Sequence, residues 1–243
     1  IYRHPDMGYS IGKVFRPIEE EMKKHTDVDS IYLPVPNYSP KGLWENIRYA
    51  LKHCKKNKYD VIHITGTEHY LLPFLRNKKT VITVHDLGFF TNNKLSIRNI
   101  LKYFLWIKTL PLASYVTFIS EKSKNEALGL VKLKNGKYSV VMNPIGVEFQ
   151  VHHKEINKAC PTILHIGTKE HKNIETTAIA LKGFACKLRI IGKLTERQKR
   201  TLAINDIDYS CAHGLTDEEI LQEYINCDIV NFPSLYEGFG MPI

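Results

Sequence analysis

Cys227-Asp-Ile-Val-Asn-Phe232 runs without a break into Pro233-Ser-Leu-Tyr-Glu-Gly-Phe-Gly-Met-Pro-Ile243. The first six residues form a short apolar run, the pattern of a strand buried in a parallel sheet. The second stretch sets two glycines between an acid and a proline. After a strand, such a loop makes a narrow ledge of free backbone N–H groups beside one carboxylate. Glu237 is placed to accept from hydroxyl groups. The ledge itself comprises Gly238, Phe239, Gly240 and Met241, whose amides are placed to donate to oxygens. The ligand that suits this pairing carries both hydroxyls and phosphate.

The rest of the chain reads as strand and helix in alternation. Strands are expected over 30–33, 59–64, 80–84, 115–119 and 137–142, then over 162–166, 187–191 and 228–232, with one more around 208–211. Apolar residues at i, i+3 and i+4 predict helices over 42–54, 96–110 and 217–224. This alternation argues for an α/β fold built on parallel sheets covered on both faces. Residues 148–160 break the pattern with a polar segment that carries His152 and His153 and ends at Pro161. The expected organisation is a first Rossmann-like domain over 1–148, a linker over 149–160 and a second domain over 161–243. The second half offers few strands for such a domain and is expected to be truncated at its C-terminal end. Ile1-Tyr2 reads as the end of a strand that begins earlier.

The chain has 243 residues, 43% hydrophobic and 24% charged, a globular composition. Its net charge of +9 is uneven. Residues 1–150 hold 23 Lys and Arg against 13 Asp and Glu, whereas residues 151–243 hold 11 against 12. One reading is a solvated lysine-rich surface. The other is that the first domain faces an anionic membrane surface. Nucleic acid is not expected, because there is no arginine-rich arm, aromatic platform motif or zinc finger. The stretch 94–110 sets Lys94, Arg98, Lys102 and Lys108 among Leu95, Ile97, Ile100, Leu101, Phe104, Leu105, Trp106 and Ile107. That is more apolar surface than one core-facing stripe uses, so Phe104 or Trp106 is a candidate for an interface; packing into the domain is the alternative. No apolar run approaches the ~18 residues of a membrane span. Five scattered cysteines with no Cys-x-x-Cys pair suggest a reducing compartment. The expected place is the cytoplasm, with peripheral attachment to the inner face of the plasma membrane.

Ligands of open parallel sheets bind at the carboxyl ends of strands, and four further loops lie there. Arg3-His-Pro-Asp-Met-Gly-Tyr-Ser-Ile-Gly12 has Gly8 and Gly12 ahead of a helix, a form that serves either a turn or a phosphate. Val84-His-Asp-Leu-Gly88 puts His85 and Asp86 where strand becomes loop, so that His85 can donate to a hydroxyl or phosphate. In His165-Ile-Gly-Thr-Lys-Glu-His-Lys-Asn173, Gly167 permits a turn while Lys172 and Asn173 are expected to open a helix and make an anion site. Cys211-Ala-His-Gly-Leu-Thr-Asp-Glu-Glu219 carries a capping box, Thr216 with Glu219, which explains its acids as helix chemistry. The Asp-x-Asp pairs at Asp27 and Asp206 fit turns and caps rather than metal binding, and His152-His153 has no third ligand nearby. No metal is expected.

The run from Pro233 to Pro242 resembles the signature of family 4 glycosyltransferases, in which a glutamate, seven residues and a second glutamate frame a sugar nucleotide. Here the second glutamate would lie beyond Ile243. Gly167 and Lys172-Asn173 are similar to the family loop of Gly-Arg followed by Lys with Gly or Asn; Thr168 stands where many members have arginine. His85-Asp86, Asn143-Pro-Ile-Gly-Val147 and the turn His213-Gly214-Leu215, which lines the nucleobase in the family, also match. The resemblance implies a GT-B type fold, two Rossmann-like domains facing across a cleft, the first on the acceptor side and the second on the sugar-nucleotide side. It implies retaining transfer of a hexose from a GDP- or UDP-linked donor to a hydroxyl of a growing surface glycan or lipid-linked saccharide, with no further cofactor. His85, Lys172 and Glu237 would be the catalytic residues. Gly8, Gly12, Gly167, Thr168, Lys172, Asn173, His213, Leu215 and residues 238–241 would bind the donor. The alternatives are a nucleotide-sugar epimerase of the same fold and a non-catalytic sugar-nucleotide-binding or scaffold module.

Overall fold

A computed structural model describes residues 1–7, 10–88, 97–144 and 149–240. The chain divides into two compact units, Ile1–Pro144 and Ile145–Ile243.

In the first unit, β1 (Ile62–Ile64), β2 (Thr80–Val84), β3 (Tyr115–Phe118) and β4 (Tyr138–Val140) form a parallel sheet in that order. The helices are α1 (Ser10–Met22), α2 (Pro40–Lys56), α3 (Leu72–Leu75), α4 (Ile97–Lys102) and α5 (Glu121–Leu130). Ile64, Ile82, Val84 and Phe118 are fully buried between helices, as the continuous apolar runs require. α2 shows why local chemistry agrees with the fold. Ser39 caps it by accepting from the Gly42 N–H at 3.1 Å, Pro40 stands in its first turn, and Ile47, Ala50 and Cys54 make its buried stripe. A Cβ on Gly42 would lie 2.6 Å from the Pro36 carbonyl, so glycine is needed there.

Two sequence-based expectations change here. Residues 30–33 are not a strand: they make only an isolated parallel bridge, Tyr2 with Tyr32. The Tyr2 N–H donates to the Ile31 carbonyl and the Leu33 N–H to the Tyr2 carbonyl, while the Ile1 carbonyl accepts from Thr65 N–H. Pro34 and Pro36 follow at once and cannot extend such a ladder. Nor is 96–110 one α-helix. α4 passes into a π-helical turn, Tyr103–Ile107. There His69 Nδ1 donates to the Trp106 carbonyl at 2.5 Å, so that carbonyl is satisfied from outside the helix.

In the second unit, β5 (Thr162–Ile166), β6 (Lys187–Ile191), β7 (Tyr209–Ala212) and β8 (Ile229–Asn231) form a parallel sheet in the order β7-β6-β5-β8. α6 (Ile174–Ala180), α7 (Glu196–Ile204) and α8 (Asp217–Asn226) connect them. Leu164, Leu188, Ile190, Ala178 and Leu202 are fully buried. α7 and α8 both begin with complete capping boxes, Thr195 with Gln198 and Thr216 with Glu219. Residues 149–160 contain no helix or strand and lie on this unit. Lys154 reaches Asp228 at 3.0 Å, and the rings of Phe149 and Tyr224 meet edge to face.

Candidate functional site

The strand order of the second unit reverses between β5 and β8: the chain steps outward through β6 and β7, then returns to lay β8 on the other side of β5. The crevice at such a reversal, outside the carboxyl ends of the strands, is where open parallel sheets hold ligands. The loops that follow β5 and β8 meet there. The Leu235 N–H donates to the His171 carbonyl at 2.8 Å. Asn173 Nδ2 donates to the Pro233 carbonyl at 3.2 Å. Lys172 Nζ donates to Glu237 Oε1 at 2.6 Å. The same ammonium lies 4.8 Å above the centre of the Phe232 ring. The two charged side chains keep 17% and 27% of their surface, so the pair is within reach of a ligand.

Gly167 makes this contact possible in two ways. Its φ is +94°, and a Cβ would meet the Lys172 stem at 3.0–3.3 Å. The expectation that Lys172 and Asn173 open a helix is corrected. Glu170–Lys172 is a 3₁₀ turn, Asn173 takes a left-handed conformation with φ 62° and ψ 41°, and α6 starts only at Ile174. Lys172 therefore acts from a turn, through its contact with Glu237. Thr168 is locked: its hydroxyl donates to the Lys193 carbonyl at 2.8 Å, and Gln198 Nε2 donates to its carbonyl at 2.7 Å. Its side chain fills the space that a Cβ on Gly192 would enter at 2.7 Å. Gly238 and Phe239 form a bend after Glu237, and Gly240 has φ +93°. His213 is exposed, Gly214 has φ +71°, and Leu215 packs against the cluster of Leu164, Ile191 and Cys227. Met241 lies outside the described residues, as does Gly8.

The structure adds two side chains to this edge. Asn231 Nδ2 donates to Thr177 Oγ1 at 2.9 Å and to His165 Nδ1 at 3.2 Å. Burial lowers the His165 pKa to about 4, which keeps the ring neutral.

The first unit has its own reversal, between the Ile1-Tyr2 lane and β1. Arg3 follows that lane, and Thr65 to Glu68 follow β1. Glu68 is completely buried, and burial raises its pKa from 4.5 to about 7. Thr67 Oγ1 donates to its Oε1 at 3.2 Å; its Oε2 has no hydrogen-bond partner. His63 and His69 are held neutral by burial, each with a pKa of about 4. Sequence reasoning passed over all three, although a polar cluster, His63-Ile-Thr-Gly-Thr-Glu-His69, directly after an apolar strand was the available signal. His85 is corrected in role. Its Nε2 lies 2.8 Å from the Thr65 carbonyl, so that nitrogen carries the hydrogen and is already used. Burial lowers its pKa, which leaves Nδ1 as an acceptor rather than a donor. Asp86 accepts from the Gly88 N–H at 3.0 Å, a turn role. Gly12 lies within α1, where a Cβ would meet nothing within 4 Å. Among the described residues no three His, Cys, Asp or Glu side chains gather as metal ligands, and no helix is long and apolar enough to cross a membrane.

The profile of Glycosyltransferase Family 4 matches residues 13–149, more than half of the chain. The chain belongs to glycosyltransferase family 4. The family match falls mainly on the first unit, whereas the quoted signature lies in the second. Comparison with curated protein sequences gives no match. Among solved structures, HepE of Anabaena in complex with UDP and glucose is similar with a TM-score of 0.66 at 14% identity, over 93% of this chain and 70% of that one. The lipopolysaccharide outer core galactosyltransferase WaaB is similar with 0.61 at 14% identity, over 86% and 59%. TarM of S. aureus, in complex with fondaparinux, α-GlcNAc-glycerol and UDP, is similar with 0.60 at 16% identity, over 81% and 42%. The chain thus spans less than two thirds of the length of two of these three. At such identities the likeness establishes the family 4 fold of GT-B type, two Rossmann-like halves.

Proposed function

We propose that this family 4 chain transfers a hexose from a nucleoside diphosphate sugar to a hydroxyl of a growing glycan or lipid-linked saccharide, with retention at the anomeric carbon. The second unit, with its domain over 161–243, is the donor side and the first, with its domain over 1–148, the acceptor side. The observation that carries the reading is the Lys172–Glu237 contact at the reversal between β5 and β8. It offers one cation and one carboxylate to a ligand that bears both phosphate and hydroxyls. When the bond from the anomeric carbon to the diphosphate breaks, the electron pair leaves with the diphosphate. Lys172 stabilises that charge, and Glu237 with the 238–241 backbone orients the sugar ring. His85 accepts from a sugar hydroxyl through Nδ1. UDP is the favoured nucleotide, because the structures of HepE and TarM hold it. Cytoplasmic work at an anionic membrane fits the basic first unit.

Titration with UDP and GDP tests this. Charge-assisted contacts contribute roughly 1.5–3 kcal/mol, so Lys172→Ala is expected to weaken the diphosphate complex about tenfold or more. Unchanged affinity in a folded variant removes Lys172 from the site.

A further inference from the structure

One residue of β8 is out of character with its place. Cys227-Asp-Ile-Val-Asn-Phe232 has the pattern of a buried strand, and β8 pairs with β5 so that Asn231 stands beside His165 near the carboxyl ends of both. His165 keeps 1% of its surface and Thr177 5%. Three polar side chains therefore meet where an apolar filling would cost less. Such a cluster is stable only when its members satisfy one another, and it then fixes one arrangement of the elements that carry it.

The Asn231 carboxamide joins three elements. Its two Nδ2 hydrogens go to different partners, one to His165 Nδ1 on β5 and one to Thr177 Oγ1 on α6. From each partner a short path leads to the candidate site. Thr177 Oγ1 donates to the Asn173 carbonyl at 3.4 Å, and Asn173 Nδ2 donates to the Pro233 carbonyl, which returns the path to the loop after β8. Asn173 is the left-handed residue directly after Lys172. On the other path, accepting from Asn231 leaves the His165 hydrogen on Nε2. That nitrogen is buried and makes no full hydrogen bond, and the Gly167 backbone is the neighbour that favours charge on the ring. A Cβ on Gly167 would in turn meet the Lys172 stem. Lys172 is the charged group that acts on the ring; the residues that β6, β8 and α6 set around it, Ile190, Asn231 and Thr177, do not ionise. Gly167 and Asn173 bracket the turn that presents Lys172 to Glu237, and both are tied to a single amide.

We propose that Asn231 is a positioning residue of the donor site: through His165 and Thr177 it holds the 167–173 turn in the form that sets Lys172 against Glu237. This role rests on the donor reading above and goes beyond it, because only a group with two hydrogens to give serves both partners.

Histidine NMR and UDP titration of the full chain test this. Long-range 1H–15N spectra, with the His165 signals assigned by their loss in His165→Gln, are expected to show the neutral Nε2–H form at about pH 7; the Nδ1–H form overturns the proposal. Asn231→Leu removes both bonds and is expected to weaken UDP binding several-fold. The same change made on Lys172→Ala should cost little more, because its effect passes through Lys172; an undiminished cost there overturns the role. Asn231→Asp keeps the shape of the side chain, so it decides the matter even where the leucine variant fails to fold. At about pH 8 its carboxylate draws the ring hydrogen to Nδ1, and UDP binding should weaken. A proton taken up by the pair as pH falls toward about 5.5, held by either member, returns the hydrogen to Nε2. The UDP affinity of Asn231→Asp, taken as a ratio to the parent at each pH, should therefore recover as pH falls. A ratio flat in pH overturns the proposal, as does full UDP affinity in folded Asn231→Leu. Circular dichroism and melting establish which variants are folded. Failure of the parent chain itself to bind UDP or GDP sinks the donor reading and this role with it, whereas a parent that binds beside variants that bind equally well sinks the role alone.

Discussion

Each unit sets an acid where its strand order reverses, and the two acids are handled in opposite ways. In the second unit, Lys172 and Glu237 touch at 2.6 Å and remain partly exposed. In the first, Glu68 is sealed from solvent, and its carboxyl holds a proton up to about pH 7. His63 and His69, beside it in sequence, are held neutral in the same way. The first edge thus suppresses charge by burial and the second cancels it by pairing. A paired surface charge can be handed to a ligand at little desolvation cost. A buried one mainly shapes the loop above it.

The largest effect expected from this contrast is on the second edge. Glu237→Gln should lower transfer on the order of a hundredfold, the usual scale for removing one preorganised polar group, while leaving affinity for the bare nucleoside diphosphate undiminished. Steady-state rates set beside UDP titration decide this. Equal loss in both would mean that Glu237 only holds its loop, and the two edges would then be alike.

The next effect belongs to the first edge and is a matter of pH. Glu68 has a folded pKa of about 7 against 4.5 unfolded. As pH rises from 4.5 toward 7 the unfolded chain releases this proton while the folded chain keeps it, so the penalty grows across that window. Glu68→Gln should therefore raise the melting temperature at pH 7.5, by at most about 3–4 kcal/mol in stability, and leave it nearly unchanged at pH 4.5. His63, His69 and His165 work the other way. Their folded pKa values near 4 lie below the ordinary 6.5, so stability present above pH 6.5 is lost as pH falls toward 4. In the Glu68→Gln variant, where the opposing carboxyl is gone, a melting temperature that rises as pH falls from 6.5 toward 4 would contradict the burial of these histidines.

Gly167→Ala sharpens the contrast from the backbone. A side chain there meets both a positive φ and the Lys172 stem, at a cost of about 1–3 kcal/mol. Loss of stability together with weaker UDP binding is expected, measured by denaturant unfolding and titration. The smallest effect is on membranes. Charge reversal of Lys102 and Lys108, in the stretch 94–110, should weaken co-sedimentation with phosphatidylserine vesicles by about 1 kcal/mol per lysine at most. The same change at Lys187 and Lys199 in the second unit should do nothing. High salt should abolish the difference.

Much of this was open to reading from the residues. Among the described residues seven of the eight strands fall within expected runs, and β7 runs one residue past 208–211. The capping box of Thr216 with Glu219 stands as read, whereas that of Thr195 with Gln198 comes from the structure alone. What could not be read has a common cause, contact between distant residues. Residues 30–33 have strand composition, yet only Tyr2 pairs with them, and two prolines stop the ladder. The π-helical turn depends on His69, far from it in sequence. Lys172 and Glu237 were each legible as ligand-binding types, but their contact spans 65 positions. It also depends on Asn173 leaving the helical conformation, which composition alone does not signal. Glu68 was missed because an acid next to an apolar strand ordinarily reads as solvated.

On the proposed reading, the contact between Lys172 and Glu237 makes anion uptake an exchange rather than an addition. An incoming phosphate displaces a carboxylate that already neutralises the ammonium, so the gain is the difference between two counter-ions. Added salt weakens the old partner and the new one together, and the salt dependence of UDP binding should be flatter than a bare lysine would give. Glu237 then parts from Lys172, and one of the ties between the loops after β5 and β8 opens with it.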